Sequence, residues 1–385
     1  MDIDNTMILR EFAKSIENDL EKKIVILSGP RQVGKTTLSR ALFKKHQYLN
    51  FDSSEHRKIL LSKSWDRSKD LVIFDEIHKM DEWKRWLKGI FDTEGVRPRI
   101  LVTGSARLET LTNVGDSLAG RFFSYRLHPF TVEELGNVGY EKPSREIMNR
   151  LLDYSGFPEP FVESDKRFFG RWQKSHLDTI LREDLISLLE IKNIQKLKTL
   201  VMLLRDRVGA PVSYSSIAQD LNTSYKTVQS WIGTLEKLYI IFRVTPFHKN
   251  VARSLLKEPK YYFYNLGIVN GEAERFENLI AIALHKKHHE LNDYHGEEAG
   301  LYYLRNRDGK EVDFLLSMRD QELLVEAKLS DDSPSNHLRH FSKFLENPTC
   351  VQVVRDLAIS QSSIDGISVM PAAEWLSCPI NRNET

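Results

Sequence analysis

The chain has 385 residues, 41% apolar, 28% charged and 10% aromatic, the composition of a folded protein with more than one domain. No apolar run approaches the roughly 20 residues of a membrane-spanning helix, Met1–Met7 carries no apolar secretory segment, and Cys350 and Cys378 alone make neither a disulfide framework nor a zinc site. A secreted scaffold, a membrane protein and a zinc finger are excluded, and a cytoplasmic multidomain chain is expected. The net charge of +1 conceals an asymmetry. Arg205–Lys260 holds nine basic against four acidic residues, whereas Tyr261 onward holds 12 against 20, a pattern of different partners for different domains.

The first predicted strand is Ile24–Leu27. Directly after it comes Gly29-Pro30-Arg31-Gln32-Val33-Gly34-Lys35-Thr36-Thr37, then a helical pattern. This Gly-x4-Gly-Lys-Thr spacing, between a strand and a helix, is a phosphate-binding loop. Its glycines let successive N–H groups turn toward a phosphate, and the helix N-terminus adds partial positive charge. Lys35 would reach the β- and γ-phosphates, and Thr36 would offer its hydroxyl to Mg²⁺. A second strand, Leu71–Phe74, is continuously apolar, as a strand buried on both faces should be, and ends in Asp75-Glu76. Asp75 is expected at Mg²⁺, with Glu76 polarising the attacking water. A third strand, Arg99–Thr103, ends at Gly104-Ser105, whose polar tip would sense the γ-phosphate. Strands alternating with helices imply a doubly wound α/β layer that binds ATP.

Residues Ser144–Arg205 show helical spacing of leucines, with Leu177, Leu181, Leu185, Leu197, Leu200 and Leu204 as core. Val212–Ile232 reads as a helix, a polar turn and a second helix with Val228, Trp231 and Leu235 inward. The strand Tyr239–Val244 after it would be the wing of a winged helix. Tyr225, Lys226, Thr227, Gln229 and Ser230 would face outward, toward DNA phosphates and base edges, and the local positive charge agrees. Winged helices also serve as protein–protein modules, so both readings stand.

In the last region a helix from Glu272 to Leu284 carries Glu277. Glu311–Leu316 and Leu323–Lys328 read as a hairpin. A period of two sets Glu326 and Lys328 on one face, with Asp313 opposite on the partner strand. Two carboxylates holding Mg²⁺ beside a lysine can activate water for phosphodiester cleavage. The bland alternative is a solvated face of alternating charges. His285, His288 and His289 could bind metal, but a solvated helix end is the favoured reading.

Several further motifs occur in order: Asp75-Glu76-Ile77-His78-Lys79 with Trp83, Thr103-Gly104-Ser105, Ser117-Leu118-Ala119-Gly120-Arg121, Pro129–Leu135, Gly156-Phe157-Pro158-Glu159 and Arg182-Glu183-Asp184. With the phosphate loop, this set resembles the large group of prokaryotic AAA-type ATPases whose C-terminal half is a domain of unknown function. The spacing Asp-x12-Glu-x-Lys resembles the restriction-endonuclease-like superfamily. The resemblance implies a helical lid, Ser105 as a sensor, and Arg121 as an arginine finger or sensor acting in cis or in trans. An ordinary surface salt bridge is an equal reading of Arg121. It also implies ring assembly, often a hexamer. The family pattern has Asp near position 265, where this chain has Asn265. The expected organisation is an ATPase core at 1–140, a lid at 141–205, a winged helix at 206–258 and a nuclease-like α/β domain at 259–385. The expected work is ATP-driven binding, remodelling, translocation or processing of DNA. A nucleotide switch for a protein partner, with an inert nuclease-like domain, is the alternative.

Overall fold

The computed structural model describes residues 10–104, 118–184, 194–248 and 258–378. They divide into two compact units. The first holds the chain up to His128 together with Asn137–Tyr140, and the second holds Pro129–Gly136 and the chain from Glu141 onward.

The first unit runs α1 (Ala13–Leu20), β1 (Ile24–Ser28), α2 (Lys35–Leu42), β2 (His46–Asn50), α3 (Ser54–Ser62), β3 (Leu71–Asp75), α4 (Trp83–Glu94), β4 (Arg99–Thr103) and β5 (Phe122–Arg126). Its strands form one parallel sheet in the order β2-β3-β4-β1-β5. Every residue of β1 and β3 is buried, as helices covering both faces of a parallel sheet require. Trp65, Phe74 and Trp86 meet in the core at ring separations of 5.1 to 5.9 Å. Because β4 lies between β1 and β3, the register pairs Thr103 with Leu27 on one side and with Asp75 on the other. The loop after β1, the acidic end of β3 and the tip of β4 therefore share one sheet edge, where open α/β sheets bind ligands.

The second unit takes in most of α5 (Val132–Asn137), then α6 (Ser144–Tyr154), α7 (Pro158–Glu163), α8 (Lys166–Thr179), α9 (Ile194–Arg205), α10 (Tyr214–Asp220) and α11 (Tyr225–Lys237). After β6 (Ile241–Pro246) and β7 (Lys260–Phe263) comes the long α12 (Glu272–His289). The chain continues through β8 (Gly300–Arg305), β9 (Glu311–Ser317), β10 (Glu322–Lys328), α13 (Asn336–Phe341), β11 (Thr349–Val354), β12 (Gln361–Ile364), β13 (Ile367–Pro371) and α14 (Ala372–Ser377). Eight strands form a mixed sheet in the order β12-β13-β11-β10-β9-β8-β6-β7.

Two features depart from the expected organisation. The strand expected as a wing, β6, pairs antiparallel with β7 and parallel with β8, so it joins the C-terminal sheet across the expected boundary at 258/259. The helices expected as a lid also lie in the second unit. There α6 packs on α14, and Ser155 Oγ accepts from the Leu266 amide at 3.3 Å. Gly156 explains part of this: a Cβ there would stand 2.5 Å from the Phe130 carbonyl oxygen, so only glycine lets the two backbones meet.

Candidate functional site

The residues of the phosphate loop form one cradle in the first unit. Gly29 has φ +147°, and a Cβ on it would lie 2.3 Å from the Leu127 carbonyl oxygen, so the tight turn out of β1 admits no side chain. Gly34, at φ +100°, turns the chain into α2. Buried Lys35 donates to the carbonyls of Gly29 at 2.9 Å and Pro30 at 2.7 Å, holding its ammonium inside the curl. Val33 is fully buried and anchors the loop, whereas Gln32, at φ +63°, and Thr37 are exposed, and Arg31 and Thr36 are half-buried.

Asp75 stands at the end of β3 with both carboxylate oxygens engaged. Thr103 Oγ1 donates to one at 2.6 Å, and the Tyr48 hydroxyl donates to the other in a short hydrogen bond. Burial, and then the Asp75 hydrogen bond, push the Tyr48 hydroxyl up to about 12, so it remains a donor. Glu76 occupies the left-handed region at φ +57°, its carboxylate 3.4 Å from His78 Nε2 and 3.8 Å from Lys79 Nζ. Strained backbone of this kind is concentrated at functional sites. The set of Gly29, Gly34, Lys35, Thr36 and Asp75 fits a nucleotide with Mg²⁺: backbone room for phosphate, a buried ammonium, a hydroxyl and a carboxylate.

Arg10, which the motifs do not reveal, supports the cradle. Its buried guanidinium donates to the Val33 carbonyl at 3.0 Å and to the His128 carbonyl at 2.6 Å. Ser105 lies outside the described residues. Arg121 is not near the loop of its own chain. It precedes β5, where Ile24 pairs with Phe122, at the sheet edge opposite the phosphate loop, and its guanidinium is paired with Asp92 at 2.7 Å. A five-residue strand separates the two edges by about 17 Å.

The second unit brings together the four residues predicted in its C-terminal part. Continuing the β9–β10 register, in which Val325 faces Phe314, sets Glu326 across from Asp313. Asp313 Oδ2 accepts from the Ala327 amide at 2.9 Å, and Lys328 Nζ lies 2.9 Å from Glu326. Glu277 reaches the same place from α12. There Asn278, fully buried, accepts from the Phe263 amide at 2.8 Å and donates to the Phe263 carbonyl at 2.7 Å, docking the helix on the edge strand β7. Tyr262 then donates to Glu277 Oε1 at 2.7 Å.

At the centre stands a residue that sequence reasoning missed, Lys260. It is wholly buried, 2.7 Å from Glu311, 3.6 Å from Glu277 and 3.8 Å from Asp313. Burial and then the Asp313 charge raise both Glu277 and Glu326, with Lys260 and Lys328 opposing. Glu311 was missed too, although its place two residues from Asp313 on one strand face was a signal for it; Lys260, heading a short apolar strand, gave no local signal. Asn265 has a turn role: its Oδ1 accepts from the Gly267 amide at 3.0 Å, a cap that Asn and Asp make equally well.

On α11, Tyr225, Lys226, Gln229 and Ser230 are exposed. Thr227 is half-buried, its hydroxyl 2.8 Å from that of the N-cap Ser224. Val228, Ile232 and Leu235 form the buried face, whereas Trp231, expected inward, is half-buried. An isolated antiparallel bridge joins Pro211 to Lys260 beside the β6–β7 pair. No helix among the described residues is long and apolar enough to cross a membrane.

Residues 21–136 match an AAA domain, residues 145–278 a domain of unknown function (DUF8612), and residues 274–375 another (DUF4143). An uncharacterized protein of Methanocaldococcus jannaschii is 24% identical over 90% of this chain and 85% of its own length. One from Haemophilus influenzae is 22% identical over 92% and 94%. A solved S. cerevisiae Hsp104:casein complex in its extended conformation is 14% identical, with 59% of this chain matched to 49% of that chain at a TM-score of 0.28. The AAA match and the phosphate-loop cradle together support a nucleotide-dependent P-loop ATPase domain of AAA type.

Proposed function

We propose that the chain hydrolyses ATP with Mg²⁺ and couples the cycle to binding and remodelling, translocating on or processing DNA. The observation that carries the ATPase reading is the loop in which Gly29 and Gly34 free the backbone while Lys35 waits in its curl, on the sheet edge that also bears Asp75. In this reading the backbone amides of Gly29–Thr37 and Lys35 hold the phosphates, and Thr36 and Asp75 hold Mg²⁺. Glu76 orients the water, and Ser105 takes the sensor role for the γ-phosphate. Bound nucleotide supplies the phosphoanhydride whose cleavage drives the cycle. Arg121, at the far edge of its own sheet, would serve the nucleotide of a neighbouring copy in a ring such as a hexamer.

The DNA reading rests on α10, α11 and the strand β6 as a winged helix whose exposed Tyr225, Lys226, Gln229 and Ser230 meet phosphates and base edges, with Thr227 beside them. Asp313 and Glu326 would hold Mg²⁺ in a nuclease-like domain, with Lys328 and Glu277 flanking them. One observation favours an alternative in which that domain is inert and the protein is a switch for a protein partner: the Lys260 ammonium already stands among Glu277, Glu311 and Asp313. Steady-state ATP turnover with and without duplex, single-stranded and four-way branched DNA tests the reading, with Lys35→Ala as the blank. Stimulation by one DNA form supports it. Basal turnover that no DNA form alters refutes the DNA part, and turnover equal to that of Lys35→Ala refutes the whole.

A further inference from the structure

The end of α12 was expected to be solvated, and it is not. His285 and His289 are 8% and 7% exposed, and His288 is half-buried. Positions i, i+3 and i+4 fall within an arc of about 100° on a helix of 3.6 residues per turn, so the three imidazoles share one face. The ring centres of His285 and His289 are 4.2 Å apart, and those of His288 and His289 are 5.1 Å apart. One ligand nitrogen from each of the three residues lies within 4.8 Å of the other two.

We propose that His285, His288 and His289 bind a divalent transition ion of the Zn²⁺ class, at a site independent of the phosphate loop and of the carboxylate cluster. Three imidazoles are a donor set suited to Zn²⁺, Co²⁺, Ni²⁺ or Cu²⁺ and ill suited to Mg²⁺ or Ca²⁺, which take oxygen ligands. Bonds of about 2.0–2.1 Å at tetrahedral angles set nitrogens roughly 3.4 Å apart, which small side-chain rotations from the observed spacing reach. The surroundings also suit a metal site. His285 is fixed by a flat stack on Phe242, at 4.1 Å and 4° between planes, and by a 3.0 Å hydrogen bond between its Nε2 and the Tyr264 hydroxyl. A hydrogen-bond partner of this kind orients a metal-binding imidazole. The partly exposed His288 leaves a way in from solvent and a fourth position for water or a small ligand, the arrangement of three-histidine zinc centres.

The test uses the full chain, prepared without a histidine tag and stripped of metal. Co²⁺ is titrated by visible absorption and Zn²⁺ by competition with a chromophoric chelator. One equivalent of Co²⁺ should give the visible bands of a four-coordinate ion. His288→Gln and His289→Gln should each weaken binding by at least about tenfold, and Tyr264→Phe by roughly 10-fold or more. Asp313→Asn and Lys35→Ala should retain it. The proposal is overturned if no stoichiometric binding occurs, if the histidine variants bind as well as the parent, or if Asp313→Asn abolishes the signal while they keep it. Circular dichroism of the metal-free variants reports folding. Should His289→Gln fail to fold, the half-exposed His288→Gln carries the test alone.

Discussion

Raising the pH from about 5 to about 8 should loosen the second unit around Lys260, and Glu277→Gln and Glu326→Gln should remove most of that loosening. In the folded chain both carboxyls are raised from 4.5 to about 7, chiefly by burial and next by the Asp313 charge. In the unfolded chain they titrate at their ordinary value. Between the two values the folded state holds protons that the unfolded state has released, so stability is present at the acid end and falls as pH rises. One such group loses about 3 kcal/mol across the window. Because both face Asp313, the two losses do not add in full. Urea-dependent hydrogen exchange, corrected for the intrinsic pH dependence and read on peptides from β9, β10 and α12, would measure it. A glutamine variant that keeps the parent's full pH slope would refute the assignment. Millimolar Mg²⁺ should flatten the slope of the parent if the cluster accepts a metal, and leave it untouched if Lys260 already fills that role.

Gly29→Ala should abolish binding of a fluorescent ATP analogue, since its Cβ would meet backbone oxygen at 2.3 Å. Gly89→Ala, with nothing within 4 Å of the added carbon inside α4, should bind normally and be stabilised by about 0.5–1 kcal/mol. Arg10→Met removes the donor to the Val33 and His128 carbonyls; ATP affinity should fall about tenfold by calorimetry, and unchanged affinity would show that the loop holds its shape without it. Lys260→Met leaves three carboxylates facing one another and should destabilise the second unit by about 3–5 kcal/mol in urea unfolding, with part of the loss recovered at low pH where Glu277 is protonated.

The phosphate loop was legible because its chemistry is local: the residues that cradle a phosphate are consecutive, and the strand before them and the helix after them have their own hydrophobic signatures. Asp313, Glu326 and Lys328 were legible for a similar reason, since a hairpin and a period of two fix which side chains share a face. Asp75 was readable as an acidic strand end, but not its clamp by Tyr48 and Thr103, which depends on β4 lying between β1 and β3. Only the tertiary structure drew β6 into the C-terminal sheet, packed α6 on α14 and set Arg121 at the far edge from the loop of its own chain. Lys260 shows the reason most directly. On its strand it is one lysine before three aromatic residues, and it acquires three carboxylate neighbours because Asn278 docks α12 on β7 while β9 lies three strands further into the sheet. The histidines of α12 teach the same lesson in reverse: their spacing fixes a shared face, and whether that face meets water or Phe242 and Tyr264 is decided by what packs against it.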